Sequence, residues 1–512
     1  LEKGGLATMP APAPASLAAL TRQVAINNHF ARAVEDKKSQ ALFAELRKKI
    51  KHVIYIVKEN RTYDQVLGDL EKGNGDPSLT LFPESISPNH HELARSFVTL
   101  DNFYDSGEVS GLGWNWSTAA RATDQVERTI PLDYARRGVG YDVEGMNRGI
   151  NVAGSTAPER NTALLIDPAN QLPGTADVGA PDGPKEDETG AGYLWDAALR
   201  AKLSLRNYGF FIDLSRYPRS EERPGLPLLQ NPAANETRVA YPTKTSLQDV
   251  TDPYFRGFDM RFADYWRFTE WEREFDQYVD DESLPQLELL RICHDHLGSF
   301  AEAADGVDTV ETQFADNDYA LGLIAEKIAH SPYAKDTLIF VVEDDAQNGP
   351  DHVDAHRSIA YVIGPYVKQG AVVFERYTTV SMLRTIEEVL GLKPLGLNDA
   401  FQQPMSEVFD LRQKEWNYMA RVPEILRHTR LPLPRTKAVK TIRAEQSHDA
   451  EYWAEKTRGF DFSQEDRLDA EAFNQVLWSG LKGDRPYPAE RDGRDLRKGR
   501  KKMLKHYVAG RE

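Results

Sequence analysis

The sequence predicts an α/β protein: a doubly wound, mostly parallel sheet flanked by helices, with long loop insertions and a helical C-terminal extension. Three observations predict it. The run Val53-Ile54-Tyr55-Ile56-Val57 is β-branched and apolar on both faces, as a central parallel strand must be. The run Thr337-Leu338-Ile339-Phe340-Val341-Val342 has the same character. Strand-like runs alternate with helix-periodic segments, which is the pattern of crossover-connected parallel strands.

The elements follow in order. Pro10-Ala11-Pro12-Ala13-Pro14 reads as a stiff linker. Residues 17–50 read as helical and amphipathic, ending in the basic Arg47-Lys48-Lys49. Residues 138–192 are rich in Gly, Pro, Asn and Asp and read as long loops. Leu203–Phe211 and Gln286–Ile292 are strand candidates, and Ile359–Ile363 is a third, closed by Gly364-Pro365. Residues 317–330 read as a helix with Asp316 or Asn317 at its N-cap. Thr379–Leu390 reads as another, with Val380, Leu383, Ile386 and Leu390 on one face and Gly391 as its stop. Ser463-Gln464-Glu465-Asp466 has the form of a capping box before a helix carrying Phe473, Val476, Leu477 and Leu481. The chain divides into a linker and helical segment (1–44), an α/β domain (45–410) and a C-terminal extension (411–512). Residues 491–512 hold nine Lys/Arg and three acids, which reads as a solvated tail or a docking arm.

Composition narrows the function. The 512 residues are enough for one large domain with insertions, and 40% hydrophobic with 28% charged residues is globular. A net charge of −16 argues against a nucleic-acid partner, because a phosphate backbone attracts cations. One cysteine, Cys293, excludes an intrachain disulfide. No apolar run approaches the roughly 20 residues that span a bilayer, so no transmembrane segment is expected. A chain starting at Leu1 after a removed signal or upstream domain is the expectation.

Chemistry collects at predicted strand ends, where open α/β sheets build their sites. Glu343 to His356 holds five acids and two histidines in fourteen positions. Adjacent carboxylates at a strand end repel unless something positive sits between them, and a divalent cation does this readily. The first strand ends in Lys58-Glu59-Asn60-Arg61, and another runs into His294-Asp295-His296. Ser110 sits in a glycine-flexed turn, Ser110-Gly111-Leu112-Gly113-Trp114-Asn115-Trp116, that can begin a helix. A hydroxyl there is either a metal-activated nucleophile or a plain helix cap.

Together, Lys58-Glu59-Asn60-Arg61-Thr62-Tyr63-Asp64, the Ser110 turn and Asp344-Asp345 followed by His352-Val353 resemble a known family. It is the bacterial phosphoesterase family of phospholipases C and AcpA-type acid phosphatases, within the alkaline phosphatase superfamily. The resemblance is greatest to the branch fused to a YVTN-type β-propeller, and covers roughly residues 45–410. It implies a metal-dependent phosphoric ester hydrolase. Glu59, Asn60, Asp344 and Asp345 would be metal ligands and Ser110 the nucleophile. His296 and His352 would contact the phosphoryl group or metal, with His356, Asn115 and Trp114 near the substrate. It implies a divalent cation (Ca, Mg, Mn, Zn or Fe), a phosphoester substrate, an N-terminal propeller domain or subunit and a periplasmic or extracellular location, and leaves a homo-oligomer open.

The chain departs from that branch. Where the branch reads Ser-Ala-Asp-Gly-His-Asn-Trp, Leu112 replaces the acid and Trp114 the histidine, and Phe211 stands near an expected glutamate. These changes remove polar groups and motivate an alternative: a degenerate phosphoesterase serving as a structural or binding component of an exported assembly. A sulfatase of the same superfamily is disfavoured, since Cys293 lacks a Cys-x-Pro-x-Arg context.

Overall fold

Each apolar run becomes a strand. The computed structural model describes residues 10–27, 37–134, 179–180, 192–212, 226–347, 349–434, 445–462, 466 and 468–488. Most of the 138–192 loops, Ser463 to Glu465 of the expected capping box and the 491–512 tail lie outside the described residues. The described strands are β1 (His52–Lys58), β2 (Val98–Leu100), β3 (Phe103–Tyr104), β4 (Leu205–Tyr208), β5 (Leu287–Arg291), β6 (Thr337–Glu343), β7 (Ala360–Ile363), β8 (Ala371–Val373) and β9 (Tyr377–Thr378). The main sheet runs β4-β5-β1-β6-β7, and β2-β8 and β3-β9 form two small parallel pairs.

The central place of β1 follows from its sequence. All seven of its residues are buried, and so are those of β5 and β6 on either side. Such strands need helices on both faces, and parallel crossovers supply them. The 18-residue helix Asp264–Asp281 precedes β5, and the 20-residue helix Val310–Ala329 precedes β6. The sheet is parallel except for β7, which returns antiparallel to β6 over a connection without a helix.

Register decides where the chemistry goes. Lys58 pairs with Glu343, and Val57 pairs with both Val342 and Arg291. The carboxyl ends of β1, β5 and β6 therefore stop level with one another.

Helix limits differ from the sequence reading in instructive ways. The helix expected at 317–330 begins at Val310 and is capped by Thr309, whose hydroxyl accepts from the Thr312 amide. Asp316 and Asn317 resemble caps because they are short and polar, yet they sit mid-helix and act at a distance. Asp316 accepts the amides of Asp264 (2.6 Å) and Tyr265 (3.1 Å), the first turn of the Asp264–Asp281 helix. Asn317 donates to Asp264 and Asp295. The C-terminal helix, Ala470–Lys482, is capped by Asp469 and not by the Ser463 box. The 17–50 segment is described as two helices, Pro14–Asn27 and Lys37–Lys49. Thr379–Leu390 is helical as read, and Gly391 ends it at φ 75°. No helix among the described residues is long and apolar enough to cross a membrane.

Two further packings frame the site. Phe462 lies on Gly298, and Asn474 donates to the Gln347 carbonyl, so the C-terminal segment packs beside the strand ends. The helix Ser110–Ala119 approaches the chain after β6 so closely that a Cβ on Gly113 would lie 2.4 Å from the Asp344 carbonyl oxygen. Backbone cannot yield as a flexible side chain does. Gly113→Ala is therefore expected to destabilise the protein by about 1–3 kcal/mol. Denaturant unfolding of the purified variant measures it, and an unchanged midpoint would refute the close approach.

Candidate active site

The site begins with a buried lysine. Lys58, the last residue of β1, places Nζ 2.7 Å from Asp295 and 2.8 Å from Glu343, all fully buried. It joins the segments that follow β1, β5 and β6. Burial disfavours its charge, but the two carboxylates outweigh that and hold it protonated.

The chain then turns. Glu59 forms a buried ion pair with Arg291. Asn60 takes a left-handed conformation (φ 64°), which asparagine tolerates better than most residues. Its Oδ1 lies 3.4 Å from Ser110 Oγ, and its Nδ2 lies 3.4 Å from Asp466 Oδ1. Ser110 is the first residue of its helix and does not act as a side-chain cap. Its hydroxyl donates to Asp345 Oδ2 at 3.0 Å.

Asp466 sits on the other side of Ser110. Its Oδ2 accepts the Ser110 amide (2.9 Å) and the Tyr134 hydroxyl (2.5 Å), and the Gln347 side-chain amide donates to its Oδ1. The Tyr134 oxygen accepts in turn from the Gly111 amide at 2.9 Å. His296 Nε2 makes no hydrogen bond among the described residues and faces Asp466 Oδ1 at 3.5 Å.

The electrostatics divide these carboxylates. Burial, then the neighbouring Asp466, Glu59 and Asp105, push the Asp345 carboxyl well above its ordinary range. Burial also raises Asp105. Asp466 goes the other way: burial would raise it, but the His296 imidazole, the Tyr134 hydroxyl and the Ser110 amide outweigh that and lower it. Arg61 and Arg357, two buried arginines, are engaged with other groups. Arg61 donates to the Asp295 and His296 carbonyls. Arg357 pairs with Asp101, at 3.1 Å, and lies 3.6 Å from Asp64 and from Asp351.

The other sequence-derived candidates lie around this centre. His352 Nδ1 bonds Asp64 at 2.5 Å, and its side chain is 17% exposed. Asp64, Asp351 and His352 bring three ligand-type atoms within 4.8 Å of one another. Arg357 supplies one positive charge beside both acids, and burial with the neighbouring Asp64 still pushes the Asp351 carboxyl up to about 7. His356 is at the rim, paired with Glu108 (2.6 Å) and Asp354 (2.9 Å). Asn115 is buried and donates to the Gly111 carbonyl. Trp114 is fully buried, edge-on to Phe210 and Phe211, with Arg291 over its ring. The tryptophan at the expected histidine position thus braces the arginine that holds Glu59. Leu112 packs with Val109, Val126 and Ile130.

Sequence reading missed Asp466, Tyr134 and Gln347. Asp466 was legible only as part of a cap, and no local pattern marks a residue that arrives from the C-terminal segment. Gln347 stood within the acidic stretch, in plain view but without a charge to flag it.

No family model matches the chain, and no curated protein matches it. Solved structures do show likeness. One is an alkaline phosphatase superfamily protein from Vibrio parahaemolyticus, at 14% identity over 74% of this chain and 81% of that one, with a TM-score of 0.37. Another is the PsFucS1 sulfatase from Pseudoalteromonas sp., at 12% identity over 75% of this chain and 77% of that one, TM-score 0.41. A third is the phosphonate monoester hydrolase SpPMH from Silicibacter pomeroyi, at 12% identity, 67% and 74% coverage and TM-score 0.34. At these values the likeness carries no argument about activity, and the fold assignment rests on the sheet described above.

Two measurements test this electrostatic picture. Lys58→Met leaves Asp295 and Glu343 buried without their shared cation, and is expected to cost about 3–5 kcal/mol in denaturant unfolding. A loss below about 1 kcal/mol would show that the lysine is not the tie between strands. His356 is raised to about 10 by hydrogen bonds to Asp354 and Glu108. Its ion pairs favour the folded chain fully below pH 6.5, the value of a free histidine, and that contribution fades as pH rises through about 10. Proton NMR titration should give a midpoint well above 6.5 for this ring, and one at or below 6.5 would break the assignment.

Proposed function

We propose that the protein is a metal-dependent hydrolase of phosphoric or related oxyanion esters, with Ser110 as the attacking group. The observation that carries this reading is the contact of Ser110 Oγ with Asp345 Oδ2 at 3.0 Å, beside Asn60 Oδ1, inside a cluster of buried acids. A serine hydroxyl becomes nucleophilic only when its proton has somewhere to go. Asp345, whose Oδ2 accepts the hydrogen bond of that hydroxyl, lies on that path.

The donor chemistry suits a hard divalent cation. Glu59, Asn60, Asp344 and Asp345 would hold it through oxygen, and when bound it would favour the ionised serine and offset charge on the reacting group. This chain's own residues supply the rest. The Ser110 and Gly111 amides open the helix and favour an anion there. Asp345 orients the hydroxyl and accepts its proton. His296 Nε2 faces Asp466, which accepts the Ser110 amide, and the protonated ring can donate to a developing negative oxygen there. Burial of the whole constellation excludes water, which strengthens each of these contacts.

A second reading, a binding or structural component without turnover, is favoured by one observation. Ser110 has no exposed surface, and Trp114 and Phe211 on and beside its helix are buried apolar rings packed edge-on.

Turnover of p-nitrophenyl phosphate and p-nitrophenyl sulfate, with elemental analysis before and after chelation, separates the two. The hydrolase reading expects bound metal, chelator-sensitive turnover and a loss of at least about 10³-fold in kcat/KM for Ser110→Ala and for Asp345→Asn. Undiminished turnover in both variants would remove Ser110 from the reaction. No turnover in the wild type with metal bound would favour the second reading.

A further inference from the structure

The atoms around Ser110 are sorted by kind. On one side lie oxygens: Asn60 Oδ1 and Asp345 Oδ2, facing Ser110 Oγ. On the other side lie donors: the Ser110 amide, Asn60 Nδ2, the Gln347 side-chain amide, the Tyr134 hydroxyl and, with its ring protonated, His296 Nε2. Asn60 divides them, presenting its oxygen to one side and its nitrogen to the other. The first side is chemically a cation site and the second an anion site. Five donors from five separate stretches of chain converge on one point. Every one of the contributing residues other than Tyr134 is buried.

A carboxylate already lies at that point, and it comes from the chain itself. Asp466 is buried, and it takes a left-handed conformation (φ 51°) to bring its side chain in. Gln347, which donates to it, is also left-handed (φ 44°). Non-glycine residues adopt this region at a cost, and held strain of this kind gathers at functional sites. One donor is held loosely: His296 Nδ1 lies 3.1 Å from the Leu297 carbonyl, so Nε2 donates when the ring is protonated, and it faces the carboxylate at 3.5 Å, fully buried and without a hydrogen bond among the described residues. A carboxylate has two oxygens in a plane, whereas a tetrahedral oxyanion offers three around a reacting centre. The surplus donor fits the larger ligand.

We propose that Asp466 occupies the pocket of a tetrahedral oxyanion, the phosphoryl or sulfuryl group of an ester or its free inorganic product, so that ligand and carboxylate exclude one another. The inference rests on the reading of Ser110 as the attacking group, since that is what puts the transferred group on the donor side. It explains why Ser110 is fully buried in this form. A substrate enters only when the Asp466 carboxylate leaves the donors, and the carboxylate competes with product for the same place. Asp466 is thus a competitor supplied by the chain's own C-terminal segment, and not one of the groups that hold the cation.

The test is calorimetric titration of inorganic phosphate, and separately of inorganic sulfate, into the full chain as purified and after chelation. Asp466→Ala and Asp466→Asn both remove the competing charge, and the isosteric asparagine keeps the local shape should the alanine variant fold poorly. Tighter binding of at least about tenfold is expected in the Asp466 variants. The anion that tightens more identifies the class of ester. Unchanged or weaker binding of both anions in both Asp466 variants overturns the proposal. So does a loss of metal from Asp466→Asn that the wild type does not show, which would make Asp466 a cation ligand. Turnover assays keep the two readings apart. Tightened anion binding without any turnover leaves this inference standing and removes the hydrolase. Turnover with unaltered anion binding does the reverse.

Discussion

Lys58 is the contact on which the rest depends. Three parallel strands end level with one another only if something holds their ends together, and side chains at strand ends repel when they are acids. Lys58 supplies one buried positive charge to Asp295 and Glu343 together. Removing either charge type from such a group is strongly unfavourable, because the partner stays buried and unpaired. The register of β1 with β6 puts Lys58 directly beside Glu343, so the pairing is a consequence of strand alignment as well as its support. Glu59 and Asn60 then leave the sheet from a fixed point, and everything at Ser110 is referred to that point.

Charge is distributed with a bias that shapes the chemistry. Buried arginines are drawn to the periphery of the site. Arg291 answers Glu59, stacked between Trp114 and Phe258, and Arg357 answers Asp64, Asp101 and Asp351. Arg61 is held by backbone carbonyls. What remains at the centre is Asp345 with a serine hydroxyl and a backbone amide as its hydrogen-bond donors. A carboxyl so placed is either protonated or waiting for a cation. That makes the centre distinct from the Asp64-Asp351-His352 cluster, where an arginine supplies part of the neutralising charge.

The sequence made the sheet legible because period and burial coincide there. Val53–Val57 and Thr337–Val342 are apolar on both faces, and only a central parallel strand buries both. The acidic and amide residues at strand ends were legible for the same reason: an ordered strand fixes where the next residue goes. Asp316 and Asn317 were misread because their short polar side chains look like caps, and whether such a side chain caps its own helix or a distant one is a tertiary fact. Trp114 and Leu112 were legible as substitutions but not as directions. The sequence marks Trp114 as a departure from the expected pattern, while the structure shows Arg291 over its ring.

Asp466 marks the limit of what a linear pattern can convey. Its neighbours in sequence gave a capping box, and its neighbours in space are Ser110, Asn60, Tyr134, His296 and Gln347. The contact order involved is large, more than 330 residues from Ser110 and Tyr134 alike. Closing so long a loop costs little more than closing one half as long, since the entropy grows only with the logarithm of length. The carboxylate can therefore be held by a few hydrogen bonds and released by a ligand that replaces them. Such a contact is affordable where the segment carrying it also packs on the α/β domain through Phe462 and Asn474.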